Sequence, residues 1–261
     1  MLRALANSAA GINAQAQKVD VIAHNLANIN TAGYKKQDVT FAELFHRELA
    51  GPGVPANPNP PNQRPITGGH GVKVSSTHRD WREGAIVQTG RSLDFAIAGE
   101  GFFEVVLPNG SLAYTRSGVF HVDEEGYLVT AQGYPLTVPF VIGPDIQEIT
   151  VSPEGLVTGR NAAGEVEELG YWPLYSFVNP EGLEAIGENL FVATEASGEP
   201  WEGMPGEDKL GVIKQGYLET SNVTLAEEIT SLIEAQRAYQ INSRALQAAD
   251  EMWSMANNLR R

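Results

Sequence analysis

An α+β fold, with N- and C-terminal helices enclosing a central, mainly antiparallel β-domain, is predicted by three observations. The two ends carry apolar and small residues at alternating steps of four and three, and the middle changes to short alternating runs punctuated by turns. Charge divides the chain at the same places. Residues 81–214 hold 21 Asp and Glu against 6 Lys and Arg, a balance of −15, whereas the rest of the 261 residues balances at +1. Such a middle argues against nucleic acid or anionic lipid as a partner and suits a well-hydrated surface. With 42% hydrophobic and 19% charged residues, the chain is no disordered polyampholyte. No apolar run approaches the ~18 residues of a membrane span, so membrane insertion is not expected. The absence of cysteine excludes disulfides, thiolate nucleophiles and Cys-ligated metals.

The N-terminal helix is read from Leu5, Ala9, Ile12, Ala16, Val19, Ala23 and Leu26, a heptad seam in which large residues alternate with alanine. Alanine lets backbones approach closely. Only Arg3, Lys18 and Asp20 are charged among residues 1–34, so this helix lacks the charged face of one bordering water and is expected to be surrounded by protein. Asn7 and Asn13 interrupt any signal-peptide core, and a cleaved signal is not expected. Burying Leu5, Ile12, Val19 and Leu26 is worth about 6–12 kcal/mol at about 1.5–3 each. Ordering the backbone costs roughly 1 kcal/mol or more per residue. Both ends are therefore expected to be mobile in a lone chain and ordered when copies pack together.

The C-terminal helix begins at a capping box, Thr224 with Glu227. Leu225, Ile229, Leu232, Gln236, Tyr239, Ser243, Leu246, Asp250 and Trp253 follow at steps of four and three, and Ile233 thickens the stripe. No proline or glycine interrupts residues 223–261. Asn222-Val223-Thr224 also matches a glycosylation sequon, but the cap accounts for the threonine.

Between the ends, Asp38–Leu49 is expected to form a short amphipathic helix, with Thr40 and Glu43 as a second capping box and Phe41, Leu44, Phe45 and Leu49 on one face. Six prolines within Pro52–Pro65 then predict an extended connection. From Val72 the texture is strand and turn. Strands are expected at 93–97, 102–107, 118–122, 127–130, 149–151, 156–157, 171–178 and 189–193, with hairpin turns at Pro108-Asn109-Gly110, Asp123–Gly126 and Ser152–Gly155. The expected organisation is 1–35 with 216–261 as a helical assembly domain, 36–75 as a connection, and 76–215 as the acidic β-domain.

Catalytic motifs are missing. There is no GxxxxGK[ST], GxGxxG after a strand, HExxH or GxSxG. Gly90-Arg91-Ser92-Leu93-Asp94 is the nearest approach to a nucleophile elbow and precedes a strand, so it reads as a turn. His70 and His78 could meet across an extended segment, but no carboxylate stands at ligand spacing with them. Glu124 and Glu125 belong to a solvated hairpin. No enzyme activity, cofactor or metal is expected.

Five segments carry a resemblance: Asn25–Lys36 (NLANINTAGYKK), Gly99–Val105 (GEGFFEV), Tyr114–Phe120 (YTRSGVF), Gly182–Phe191 (GLEAIGENLF) and Gly216–Met252 (GYLETSNVTLAEEITSLIEAQRAYQINSRALQAADEM). In this order they resemble the axial proteins, rod and hook, of the bacterial flagellum over nearly the whole chain. Asn28, Thr31, Gly33 and Tyr34 stand where the N-terminal helix must stop, and Gly33 can take the left-handed conformation of a helix end. Gln236, Arg237, Tyr239 and Asn242 supply polar contacts on the C-terminal helix.

The resemblance implies a structural subunit of the distal rod, with terminal helices bundled in the wall of a hollow helical tube that transmits torque to the hook. A proximal rod or hook subunit is the alternative within the family. An envelope enzyme such as a peptidoglycan hydrolase is the alternative outside it, and no catalytic constellation supports that. Implied partners are copies of the chain itself, proximal rod and hook or hook-junction proteins, envelope ring proteins and the flagellar export apparatus. The implied location is the basal body, with the rod spanning the periplasm after export without a cleaved signal. The Pro/Asn-rich stretch Gly51–Gly69 departs in composition from the family pattern.

Overall fold

Two long helices bracket the chain: α1, Leu2–Ala27, and α2, Leu225–Asn258. The computed structural model describes residues 2–44, 47–48, 67–68, 71–207 and 209–258. Between the helices the strands are mainly antiparallel. The chain divides into two discontinuous units. One comprises Met1–Leu26, Gln37–His78 and Leu225–Arg261, and the other Ala27–Lys36 and Arg79–Thr224.

In the first unit, α2 begins directly after Thr224, where the capping pattern places its start. The expected helix over Asp38–Leu49 is not formed. Gln37–Glu43 is a strand paired with Val72–Arg79, and Arg47–Glu48 pairs with Thr67–Gly68. Val39 is buried between exposed Asp38 and Thr40, a period of two that the β-branched residues Val39 and Thr40 favour. The resemblance of Thr40 and Glu43 to a capping box is coincidental. Phe45, Leu49 and the proline-rich residues 51–66 lie outside the described residues.

The second unit is built on two aromatic clusters. The larger gathers Phe95, Phe103, Phe120 and Trp172 with aliphatic neighbours such as Val105, Leu128 and Leu174. Phe103 meets Phe120 edge-to-face with ring centres 5.3 Å apart, and Phe95 meets Trp172 at 4.8 Å. Such geometry adds about 0.5–1.5 kcal/mol per pair beyond burial. The smaller cluster holds Phe102, Tyr114, Tyr175, Phe177, Leu183 and Phe191, with Trp81 packed against it.

A four-stranded antiparallel sheet joins the clusters, in the order Glu184–Gly187, Leu190–Val192, Leu112–Thr115, Phe103–Val106. Phe102 and Phe103 point to opposite sides of their strand, which places one in each cluster. A three-stranded sheet of Ile146–Val151, Leu156–Asn161 and Val166–Tyr171 flanks the larger cluster. Late strands return to early ones: Val212–Gln215 pairs with Phe95–Ala98, and Tyr217–Glu219 with Ile86–Gln88.

Candidate assembly site

Residues 27–36 leave the end of α1 through a tight turn. Thr31 donates its N–H to the Asn28 carbonyl at 3.1 Å and its hydroxyl to Asn28 Oδ1 at 3.2 Å, and Tyr34 N–H donates to the Thr31 carbonyl. Gly33 then turns left-handed, with φ of 69°. A methyl group on Gly33 would lie 2.6 Å from the Arg116 carbonyl carbon and the Ser117 nitrogen, so backbone passes where any side chain would stand. Its N–H donates to the Glu219 carbonyl at 2.9 Å. Tyr34 is buried beside it.

Beyond the turn lies a buried ionic clasp. Lys35 Nζ donates to Glu219 Oε1 at 2.6 Å and to the Arg82 carbonyl at 2.8 Å. Arg116 Nε donates to Glu219 Oε2 at 2.9 Å, and its Nη1 donates to the carbonyls of Gly99 and Gly101 at 2.8 and 2.7 Å. Gly84 N–H completes the set by donating to Glu219 Oε1. One carboxylate thus pairs with two cations, and the carbonyls of Arg82, Gly99 and Gly101 accept further hydrogen bonds from them, contacts that offset the cost of burying charge. Burial and the Arg116 guanidinium push the Lys35 ammonium below the usual lysine range, while Glu219 pulls it back.

Two asparagines extend the clasp. Lys36 N–H donates to Asn222 Oδ1 at 2.7 Å, and Asn222 Nδ2 donates to the Asp80 carbonyl at 2.8 Å. Asp80 N–H donates back to the Lys36 carbonyl. Asn189 Nδ2 donates to the Ala32 carbonyl at 3.1 Å. Asn28–Lys36 is therefore tied to the strand and turn that precede α2. The five segments singled out in the sequence converge here, contributing Lys35, Gly99 and Gly101, Arg116, Asn189, and Glu219 with Asn222. Lys35, Arg116 and Glu219 were missed as site residues. Arg116 is a single charge within its motif, whereas Lys35 stands beside Lys36.

The seam residues take a different place. Leu5, Ile12, Val19 and Leu26 are half-buried, as are Leu232, Asn242 and Leu246. Leu225 and Ile229 are 50% and 41% exposed, and Ile233, Gln236 and Tyr239 are exposed too. What is buried on α1 is Ala14, Ile22 and Asn25, and on α2 Glu228, Ala235 and Ala249. Within the first unit, Asn25 Nδ2 donates to Glu228 Oε2 at 3.2 Å, and a methyl on Gly11 would lie 2.7 Å from Asn242 Nδ2. The seam on α2 runs one residue after the buried stripe: Glu228 precedes Ile229, and Ala235 precedes Gln236. On α2 the chain buries a small and polar stripe and leaves Leu225, Ile229, Ile233 and Tyr239 exposed.

Among the described residues, no cluster of three or more His, Asp or Glu is placed to hold a metal ion. His78 Nδ1 lies 3.3 Å from Thr40 Oγ1, and His70 is outside the described residues. No helix among them is long and apolar enough to cross a membrane.

Comparison with known proteins accounts for both helices and the sheets between them. Residues 5–35 match the family described as flagella basal body rod protein. Residues 96–159 match the flagellar hook protein FlgE/F/G D1 domain, and 214–259 the flagellar basal body rod FlgEFG protein C-terminal family. The chain is 44% identical to the flagellar basal-body rod protein FlgG of Borreliella burgdorferi over the full length of both. The chain belongs to the FlgG family of flagellar basal-body rod proteins. It is also 41% identical to FlgG of Agrobacterium fabrum over 98% of each chain, and 39% identical to that of Caulobacter vibrioides over 99% of this chain and 100% of the other. The rod family is structural rather than enzymatic, so a peptidoglycan hydrolase is set aside. Family membership makes this chain a structural subunit of the flagellar rod, located in the basal body.

Proposed function

We propose that the chain is a subunit of the distal rod, polymerising head-to-tail into a hollow drive shaft that carries motor torque to the hook. The observation that supports this reading most is the exposure of the α2 seam. Leu225 and Ile229 face solvent while the neighbouring Glu228 is buried within the chain. Large apolar side chains repeated along a helix seek cover, and in a non-closing assembly that cover comes from the next copies. In this reading α1 and α2 pair in a coiled-coil-like manner, and Leu5, Ile12, Val19 and Leu26 complete the surface offered to neighbours. Asn28, Thr31, Gly33 and Tyr34 set the direction in which the chain leaves α1.

The remaining partners follow from the same reading. The proximal rod and the hook or hook-junction proteins cap the two ends, envelope ring proteins surround the shaft, and the flagellar export apparatus delivers the chain without signal cleavage so that the rod spans the periplasm. The acidic balance of 81–214 keeps the outer surface hydrated against the ring. The test is electron microscopy of concentrated protein, with and without residues 1–26. That truncation leaves the turn and clasp of residues 27–36 intact. Tubes formed by the full chain and lost on truncation are expected; tubes formed equally by both would overturn the proposal.

A further inference from the structure

Two contacts between α1 and α2, Asn25 with Glu228 and Gly11 with Asn242, are related by their numbering. From Gly11 to Asn25 is fourteen residues along α1, and from Asn242 back to Glu228 is fourteen along α2. The helices therefore run antiparallel through both contacts, which are about 21 Å apart at about 1.5 Å per residue. Fourteen residues are two heptads, so both contacts occupy the same phase of the repeat. Lys18 and Ala235 fall midway, and Ala249 is the next heptad position after Asn242. Ala235 and Ala249 are both buried.

We propose that Asn25–Glu228 and Gly11–Asn242 are a register lock that admits one alignment of α1 on α2 and rejects those a heptad away. It rests on the helix-pairing reading above. The rest of the buried stripe specifies alignment poorly. Buried Ala14, Ala235 and Ala249 and half-buried Ala238 are nearly interchangeable in shape, and a slip that puts Asn25 opposite Ala235 moves buried Ile22 only from Ser231 to Ala238, one small residue for another. The Asn25–Glu228 hydrogen bond and the close Gly11–Asn242 approach break that degeneracy. Sliding one way puts Asn25 opposite Ala235 and Gly11 opposite Ala249. Sliding the other way puts Gly11 opposite Ala235 and carries Asn25 beyond the start of α2. Either slip parts Asn25 from Glu228 and moves Asn242 off the one residue without a side chain.

Asn25 cannot turn away to compensate. Its Nδ2 also donates to the Gln37 carbonyl at 2.8 Å, and its Oδ1 accepts the Gln37 N–H at 2.9 Å. Its amide is held by the start of the strand that follows the turn, which points Nδ2 at Glu228. A buried polar contact that must be made or lost as a unit is the device by which a single asparagine sets register in other helical pairs. The consequence is positional. A slip of seven residues would displace the α1 seam by about 10 Å along the α2 seam and misalign both against any neighbouring copy.

The chain lacks cysteine, so introduced pairs report register directly. In the full-length protein, K18C/A235C reads the native alignment, and I22C/A238C and Q15C/S231C read the two slipped ones. Oxidative cross-linking is expected for the first pair alone in the otherwise unaltered chain. In N25A/N242A and in G11A backgrounds the ratio of slipped to native product should rise at least about tenfold, the scale set by a lost buried hydrogen bond to a charged group. G11A/N242G should restore the native product. An unchanged near-ultraviolet signal from the aromatic clusters shows that each variant has folded. Native cross-linking alone in every background overturns the lock while leaving the pairing intact. Absence of all three products in the unaltered background overturns the pairing itself.

Discussion

Lys35 Nζ and Glu219 Oε1 stand 2.6 Å apart with both side chains 1% exposed, joining the residues that follow the first helix to those that precede the last. A buried ion pair adds little by itself, since desolvation offsets its attraction, but half of one is costly. Glu219→Ala strands two buried cations and should lower stability by about 3–5 kcal/mol. Lys35→Met should cost less, because Glu219 keeps Arg116. Thermal melting of both variants and of the double variant tests this, and additive losses would contradict the shared carboxylate.

Gly33→Ala should destabilise more than an ordinary surface change. A left-handed alanine costs about 1–2 kcal/mol, and its methyl would meet the backbone of Arg116 and Ser117 at 2.6 Å. The measurement is the melting temperature of the full chain. A value equal to that of the unaltered protein would show that the turn can relax.

Alkaline pH should loosen the second unit. Burial, then the hydrogen bond to Glu104, pushes the Tyr114 hydroxyl far above its ordinary 10.0, and burial with the nearby Glu104 and Glu202 charges does the same for Tyr175. With folded values raised, their contribution is complete below pH 10.0 and is lost as pH rises through the folded values. Lys35 works oppositely: its lowered value makes stability climb with pH until the unfolded value of 10.5 is passed. Glu104→Gln isolates the tyrosines and should make the alkaline loss shallower, read from denaturant midpoints across the pH range.

Ile229→Asp should leave the lone chain almost unchanged, because Ile229 already faces solvent. Exposed substitutions of this kind shift stability by no more than about 0.5 kcal/mol. Assembly should nonetheless fail, as seen by sedimentation and by loss of motility in cells relying on the variant. Normal polymer with this substitution would remove the seam from the interface.

Both helices were legible because the 3/4 spacing, the capping pattern at Thr224 and the want of proline all agree. Strands such as Phe103–Val106 and Leu128–Thr130 were legible because bulky residues alternate between recognisable turns. Gln37–Glu43 was misread: Phe41, Leu44 and Phe45 suit a helix, and the strand that pairs with it begins only at Val72. The clasp was invisible for a related reason. Lys35, Arg116 and Glu219 are separated by most of the chain, and only folding brings them together. The seam spacing was right in period, but which neighbouring stripe a chain keeps for itself depends on Gly11, Ala14 and Ala235, which carry little hydrophobic signal.

The lateness of Glu219 in the chain has a consequence for timing. A ribosome must complete more than four-fifths of the polypeptide before Lys35 and Arg116 can meet their counter-ion. Until then two positive groups sit where water must remain, and the early strand Ile86–Gln88 waits for Tyr217–Glu219. A nascent molecule that ends before these final strands therefore lacks both the counter-ion of Lys35 and the partner of Ile86–Gln88.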